Sequence, residues 1–185
     1  MSKSPRIILL NGVGSVGKSS IAKALQTIAR EPFLHVAMDA FLEMLPEALW
    51  GHPDGIVFET VQEGGKPSVI IRSGPAAERL LGGMRQAIAA MARQGNNLIV
   101  DDVLLDGNNA AYEAALAGLD VLRVGVFAPL EILEAREVAR RDRMIGLARW
   151  QFDRVHKDMT YDLEIDTSRA TAMECAELIR NKFGL

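Results

Sequence analysis

Cysteine is almost missing from this chain: Cys175 is the only one in 185 residues. An internal disulfide is therefore excluded, and so is a metal centre built from several thiolates. A reducing, cytoplasmic setting is the simplest expectation. Histidine is scarce too, and His35, His52 and His156 share no ligand spacing, so no histidine metal site is expected. No apolar run is long enough to cross a bilayer, and the run Ile7 to Leu10 is too short even for the core of a signal peptide. Neither sign of charge dominates. The 21 Lys and Arg face 24 Asp and Glu for a formal net charge of -3, which excludes the wide basic footprint of a nucleic-acid binder. Repeats and low-complexity segments are absent. What remains is 49% apolar and 24% charged, the composition of one ordinary globular domain, here spanning residues 1–185.

Hydrophobic patterning alternates short apolar runs with longer helical periods. Strands are predicted at Ile7 to Leu10, Phe33 to Met38, Asn97 to Val100, Asp120 to Phe127 and Leu163 to Asp166. Helices are predicted over Lys18 to Arg30, Asp39 to Leu49 with an interruption at Pro46, Pro75 to Gln94 and Asn108 to Leu116. Three more are predicted over Leu130 to Arg143, Leu147 to His156 and Ala170 to Phe183. Gly51 to Gly74 is the least regular stretch, with a short strand at Val69-Ile70-Ile71. Strands alternating with helices imply crossover connections. The expected fold is therefore a three-layer α/β domain of the P-loop type, with a five-stranded parallel sheet and a small helical lid over about residues 136–150. Phosphate ligands on such sheets bind beyond the carboxyl ends of the strands, and the residues singled out below all fall there.

Gly12-Val13-Gly14-Ser15-Val16-Gly17-Lys18-Ser19 fits G-x-x-x-x-G-K-[ST] in full, between a predicted strand and a predicted helix. Glycines let the backbone fold tightly enough for several N–H groups to face phosphate oxygens, and the helix start adds its dipole. Lys18 is expected to reach the β- and γ-phosphates of ATP, and the Ser19 hydroxyl to ligate Mg²⁺. Ser20 extends the candidate nucleotide-binding set.

Further along, Leu98-Ile99-Val100 ends in Asp101 and Asp102, the form of a strand end that holds Mg²⁺ through one carboxylate. The residue pattern leaves open which of the two serves, and polar capping of the strand end is the bland alternative. Asp39 follows the second strand on the same edge as the phosphate loop. There it is either the group that takes the proton from an acceptor hydroxyl or the N-cap of a helix. Arg136, Arg140 and Arg143 are spaced to share one helical face, which reads as a phosphate-facing lid or as a solvated basic surface.

The phosphate loop, Asp39, the Ile99-Val100-Asp101-Asp102-Val103 strand end, the arginine run and the segment Tyr161-Asp162-Leu163-Glu164-Ile165-Asp166-Thr167 together resemble the chloramphenicol phosphotransferases. These are small P-loop kinases that phosphorylate a hydroxyl of the antibiotic. The resemblance implies ATP and Mg²⁺ as cofactors, a chloramphenicol-like alcohol as acceptor and a role in antibiotic resistance. It implies Asp39 as catalytic base, Arg136 near adenine and phosphate, Arg140 and Arg143 facing the transferred group, and Thr167 bordering adenine. Phe41, Leu42, Leu45, Trp50 and Phe58 follow Asp39 and are candidates for an apolar acceptor pocket. Cys175 reads as core. Two other readings stay open: a P-loop kinase acting on a nucleoside, sugar or other metabolite, and a nucleotide-dependent switch. No nucleic-acid or membrane partner is expected, and a homo-oligomer is compatible with the composition.

Overall fold

The first strand decides the layering. In the computed structural model, which describes residues 4–105, 108–140 and 144–185, β1 (Arg6–Asn11) sends Ile8 and Leu10 into one core and Ile7 and Leu9 into another. Successive side chains of a strand point to opposite faces, so an all-apolar strand must be covered twice. The Ile8 and Leu10 face is covered by α1 (Lys18–Ile28) through Ile21, Ala22 and Leu25, and by α7 (Ala172–Phe183) through Cys175, Ala176 and Ile179. The Ile7 and Leu9 face is covered by α3 (Pro75–Arg93) through Met84, Ile88, Ala89 and Ala92, and by Tyr112 of α4 (Asn108–Ala115). Each fully buried Leu or Ile contributes about 1.5–3 kcal/mol relative to exposure. Cys175 is core, as its setting on the last helix predicts.

Five parallel strands make the central sheet. With β2 (Phe33–Ala37), β5 (Asn97–Asp102), β6 (Asp120–Phe127) and β7 (Leu163–Asp166), the order is β2-β5-β1-β6-β7. The chain leaves β1 toward one side of the sheet and later fills the other, so the loop after β1 lies where the strand order reverses. That is where α/β sheets open a ligand crevice. Register places Asp101 of β5 beside Leu10 of β1 and Ala37 of β2, and Asp102 beside Asn11. No helix among the described residues is long and apolar enough to cross a membrane.

Three sequence expectations change. The stretch between Gly51 and Gly74 holds an antiparallel hairpin rather than one short strand: β3 (Ile56–Glu63) pairs along its length with β4 (Lys66–Ser73). Its tip is Gly64-Gly65, both at positive φ, the conformation a tight hairpin turn needs. The helix expected from Asp39 to Leu49 is only α2 (Met38–Leu42), followed by a 3-10 turn at Glu47–Leu49. Pro46, which cannot donate into a continuing helix, separates them.

The third change concerns the arginines. α5 (Leu130–Ala139) stops before Arg140, which is extended at φ -91, ψ 108. The chain folds back because the buried Glu137 carboxylate accepts the Gly146 N–H at 2.7 Å and the Ala148 N–H at 2.8 Å, capping α6 (Leu147–Phe152) from a distance. Arg140 therefore does not share a helical face with Arg136, and Arg143 lies outside the described residues. The turn before α6 is stitched to the hairpin, where the Val69 N–H donates to the Gly146 carbonyl at 2.9 Å. Gly146 is required there: its φ is 102, and a Cβ would lie 2.6 Å from the Pro67 carbonyl oxygen. Glu134 adds ion pairs to Lys66 of the hairpin and Arg149 of α6.

Candidate active site

The loop between β1 and α1 is folded as its glycines demand. Gly12 packs so closely on β6 that a Cβ would fall 2.4 Å from the Val126 carbonyl oxygen. Gly17 sits at the N-cap of α1 with φ 105 and offers no side chain there, so the helix start is left open to a ligand. Lys18 is buried, and its Nζ donates to the carbonyls of Gly12 at 2.7 Å and Val13 at 3.2 Å. Gly14, Ser15, Gly17, Lys18, Ser19 and Ser20 line one end of a cavity of about 790 Å³.

The two aspartates after β5 part company. The Ser19 hydroxyl donates to Asp101 Oδ2 at 2.5 Å, and Lys18 Nζ stands 3.8 Å from Asp101 Oδ1. His35 Nε2 is 3.6 Å from Oδ2, a close electrostatic neighbour with no hydrogen-bond partner among the described residues. Burial alone would push the Asp101 carboxyl up, but the His35 ring, Lys18 and the Ser19 hydroxyl together hold it below the usual range. Asp102 instead accepts the Tyr112 hydroxyl at 2.6 Å and the Val103 N–H at 2.7 Å. Burial pushes its carboxyl up, and those two donors only partly offset it. Ser19 and Asp101 thus pair two hard oxygen ligands at the mouth of the phosphate loop, a donor set that fits Mg²⁺. Among the described residues no group of three or more His, Cys, Asp or Glu side chains could hold a metal, so phosphate and water would have to complete its shell.

Asp39 lies across the same cavity, in the first turn of α2. The N-cap of α2 is Ala37, so the capping alternative for Asp39 does not hold. The far wall is apolar: Met38, Leu42, Trp50, Ile56, Phe58 and Ile71 line it, and Trp50 stacks on Phe58 with centroids 6.2 Å apart and rings within 6° of parallel. Of the pocket candidates read from sequence, Leu42, Trp50 and Phe58 meet the cavity, whereas Phe41 packs on the core beneath α3 and Leu45 is not among the lining residues. Arg140, Met144 and Leu147 also line the cavity. Arg136 and Thr167 stand outside it. Arg136 donates to Thr167 Oγ1 at 2.9 Å and to its carbonyl at 2.8 Å, and the Thr167 hydroxyl donates to the Val16 carbonyl at 2.8 Å. This knot braces the phosphate loop from behind.

Residues 5–184 match the family described as chloramphenicol phosphotransferase-like protein. The chain belongs to that family. "Putative O-phosphotransferase Rv2636" of Mycobacterium tuberculosis is 30% identical over 184 residues, covering 96% of this chain and 82% of that protein. Among solved structures, a sugar kinase from Janibacter sp. HTCC2649 aligns with a TM-score of 0.69 at 15% identity, covering 98% of this chain and 95% of that one. Shikimate kinase from Aquifex aeolicus aligns at 0.56 with 16% identity and 96% of each chain covered. At these identities the structural likeness shows the fold, and it is that of P-loop kinases. Within the chloramphenicol phosphotransferase-like family, then, this chain is a P-loop kinase.

The sequence alone did not single out several residues that hold this family member's site together. Asn11 donates through Nδ2 to the Val155 carbonyl at 2.8 Å and to the Tyr161 hydroxyl at 2.7 Å, while its Oδ1 accepts the Leu104 N–H at 2.8 Å. One amide thereby ties the strand before the phosphate loop to the loop after β5 and to the segment beyond α6. Its position just before Gly12 was the only signal. The Tyr161 hydroxyl, pushed up to about 12 chiefly by burial, also meets His156 Nδ1 at 2.7 Å, and the His156 ring stacks on Phe127 at 3.8 Å.

Burial, then the charge of Lys18, lower the His156 pKa to about 4 from 6.5. The folded protein therefore holds His156 neutral where the unfolded chain would protonate it. Stability from this group is complete above pH 6.5 and is lost as the pH falls from 6.5 toward 4. The ring is partly solvated, so the loss is expected to be on the order of 1–2 kcal/mol. Denaturant midpoints across that range should fall for the wild type and flatten for His156→Asn, which keeps an oxygen or nitrogen near the Tyr161 hydroxyl. Equal slopes would rule His156 out as the cause.

Proposed function

We propose that this kinase transfers the γ-phosphate of ATP to a hydroxyl of a small amphiphilic molecule, with Mg²⁺ and in the manner of chloramphenicol 3-O-phosphorylation. The observation that carries this reading is the continuous cavity with the phosphate loop at one end, an aspartate across from it and an apolar aromatic wall beyond. When bound, ATP supplies the phosphoryl group and Mg²⁺ neutralises part of its charge.

The chain's own residues would divide the work as follows. The amides of Gly12, Val13, Gly14, Ser15, Val16, Gly17 and Lys18 curve around the phosphates, with Ser20 beside them. Lys18 gives up its carbonyl partners to reach the β- and γ-phosphates. Ser19 and Asp101 hold the cation, and Asp102, engaged by Tyr112, does not. Asp39 takes the acceptor's proton and aims its oxygen in line. Arg140 and Arg143 stabilise charge on the transferred group, while Arg136 and Thr167 lie toward adenine. Residues 136–150 act as the lid that excludes water.

The wall formed by Trp50, Phe58, Ile56 and Ile71 favours an acceptor with an aromatic or aliphatic body over a bare sugar. A role in antibiotic resistance and a cytoplasmic location accord with such a substrate. The test is ADP release with saturating Mg²⁺ and ATP against chloramphenicol, other amphiphilic alcohols, nucleosides and sugars. Turnover is expected with the amphiphiles first. Turnover confined to a nucleoside or a sugar would overturn the acceptor class, and ADP release with none of them would overturn the kinase-to-alcohol reading.

A further inference from the structure

Gln151, on α6 beneath the lid, is buried yet reaches the phosphate loop: its Oε1 accepts the Gly14 N–H at 2.7 Å. A backbone N–H can bond only to the oxygen of a carboxamide, so this contact fixes which way the amide faces. The Nε2 group, with two donors, is thereby turned away from the loop backbone. It makes no hydrogen bond with any described residue, although Gln151 is only 4% exposed and lines the cavity together with Ser15, Lys18 and Asp39. Its two donors adjoin a cavity whose expected occupant carries acceptor oxygens.

The phosphate loop narrows which acceptor that is. Gln151 is held against Gly14, so its Nε2 cannot lie more than one amide width from the loop. Beside Gly14 of the phosphate loop, that location suits the terminal phosphate rather than the body of the alcohol. Gly14 also keeps the approach open: a Cβ there would stand 3.2 Å from Gln151 Oε1.

We propose that Gln151 donates a hydrogen bond from Nε2 to the phosphoryl group being transferred, its orientation set by the Gly14 amide. Fixed donors aimed at such a group stabilise the charge spread over its oxygens without reorganising. The same bond also joins the lid helix to the terminal phosphate, so ATP and ADP are held differently by α6. The inference rests on ATP binding at the phosphate loop, and not on the identity of the acceptor.

Calorimetric titration with ATP and with ADP, each with MgCl₂, tests it on the wild type, Gln151→Ala and Gln151→Glu. Gln151→Ala is expected to weaken ATP about tenfold or more while ADP stays within about twofold, the loss of one charge-assisted hydrogen bond. Gln151→Glu keeps an acceptor for the Gly14 N–H, so its Tm should remain near that of the wild type. It nevertheless places a carboxylate where the donor was, and should bind ATP more weakly still. A structural brace alone predicts the opposite: the glutamate variant would bind ATP as the wild type does, or both nucleotides would weaken equally in both variants. Either result overturns the proposal. A wild type that binds ATP but phosphorylates no alcohol would defeat the kinase reading while leaving this comparison of nucleotides intact.

Discussion

Lys18→Ala is expected to lower phosphoryl transfer by about 10³-fold or more, below detection in a coupled ADP assay. The ammonium is already gathered into the phosphate loop, 2.7 Å from the Gly12 carbonyl and 3.2 Å from that of Val13. In the proposed reaction phosphate oxygens of ATP would replace those carbonyls, and the charge would then sit where negative charge shifts during transfer. The fold should tolerate the change. Burying an ammonium is costly in itself even with the Asp101 carboxylate 3.8 Å away, so removing it relieves a desolvation penalty as well as losing contacts. Tm should therefore move little, and Lys18→Met, which retains the stem, should be as inactive as alanine. Measurable turnover in either folded variant would remove Lys18 from the reaction.

Asp39→Asn should cut kcat by about 10²–10⁴ with ATP affinity nearly unchanged, because asparagine keeps the shape of the side chain but cannot take a proton. Glu43 and Glu78 also line the cavity. Neither has a hydrogen bond or an ion pair among the described residues, so either could stand in if Asp39 were not the base. A variant with full turnover would transfer the role to one of them. The split matters: a fall in ATP affinity without a fall in kcat would make Asp39 part of nucleotide binding instead.

Features written in consecutive residues were legible before any coordinates. The phosphate loop is a local motif, and its strand and helix neighbours follow from period alone, so β1, α1 and the parallel sheet came through. The strand-end aspartates were legible as a pair but not as individuals. Which of them meets Ser19 depends on Tyr112 rising from α4 to claim Asp102, a contact ten residues away. The hairpin was largely missed although Gly64-Gly65 marks its turn, because its strands do not alternate apolar and polar residues strictly over their length. The arginine face failed for a different reason. Glu137 looks like one more charged residue of an amphipathic helix, yet it is buried and ends that helix by binding amides nine and eleven residues on. Gln151 had no local signal at all, since its partner Gly14 is 137 residues earlier.

Among the described residues, the β3–β4 ribbon shares no hydrogen-bonded ladder with the five-stranded sheet. Phe58 and Ile71 can therefore be exchanged for other side chains without disturbing the register that sets Asp101 against the phosphate loop. A lineage could retailor what it phosphorylates by exchanging only Ile56, Phe58 and Ile71, while Lys66, Pro67 and Val69 go on holding the turn before α6. Exchanging those wall side chains is the corresponding route for an engineer seeking a new acceptor.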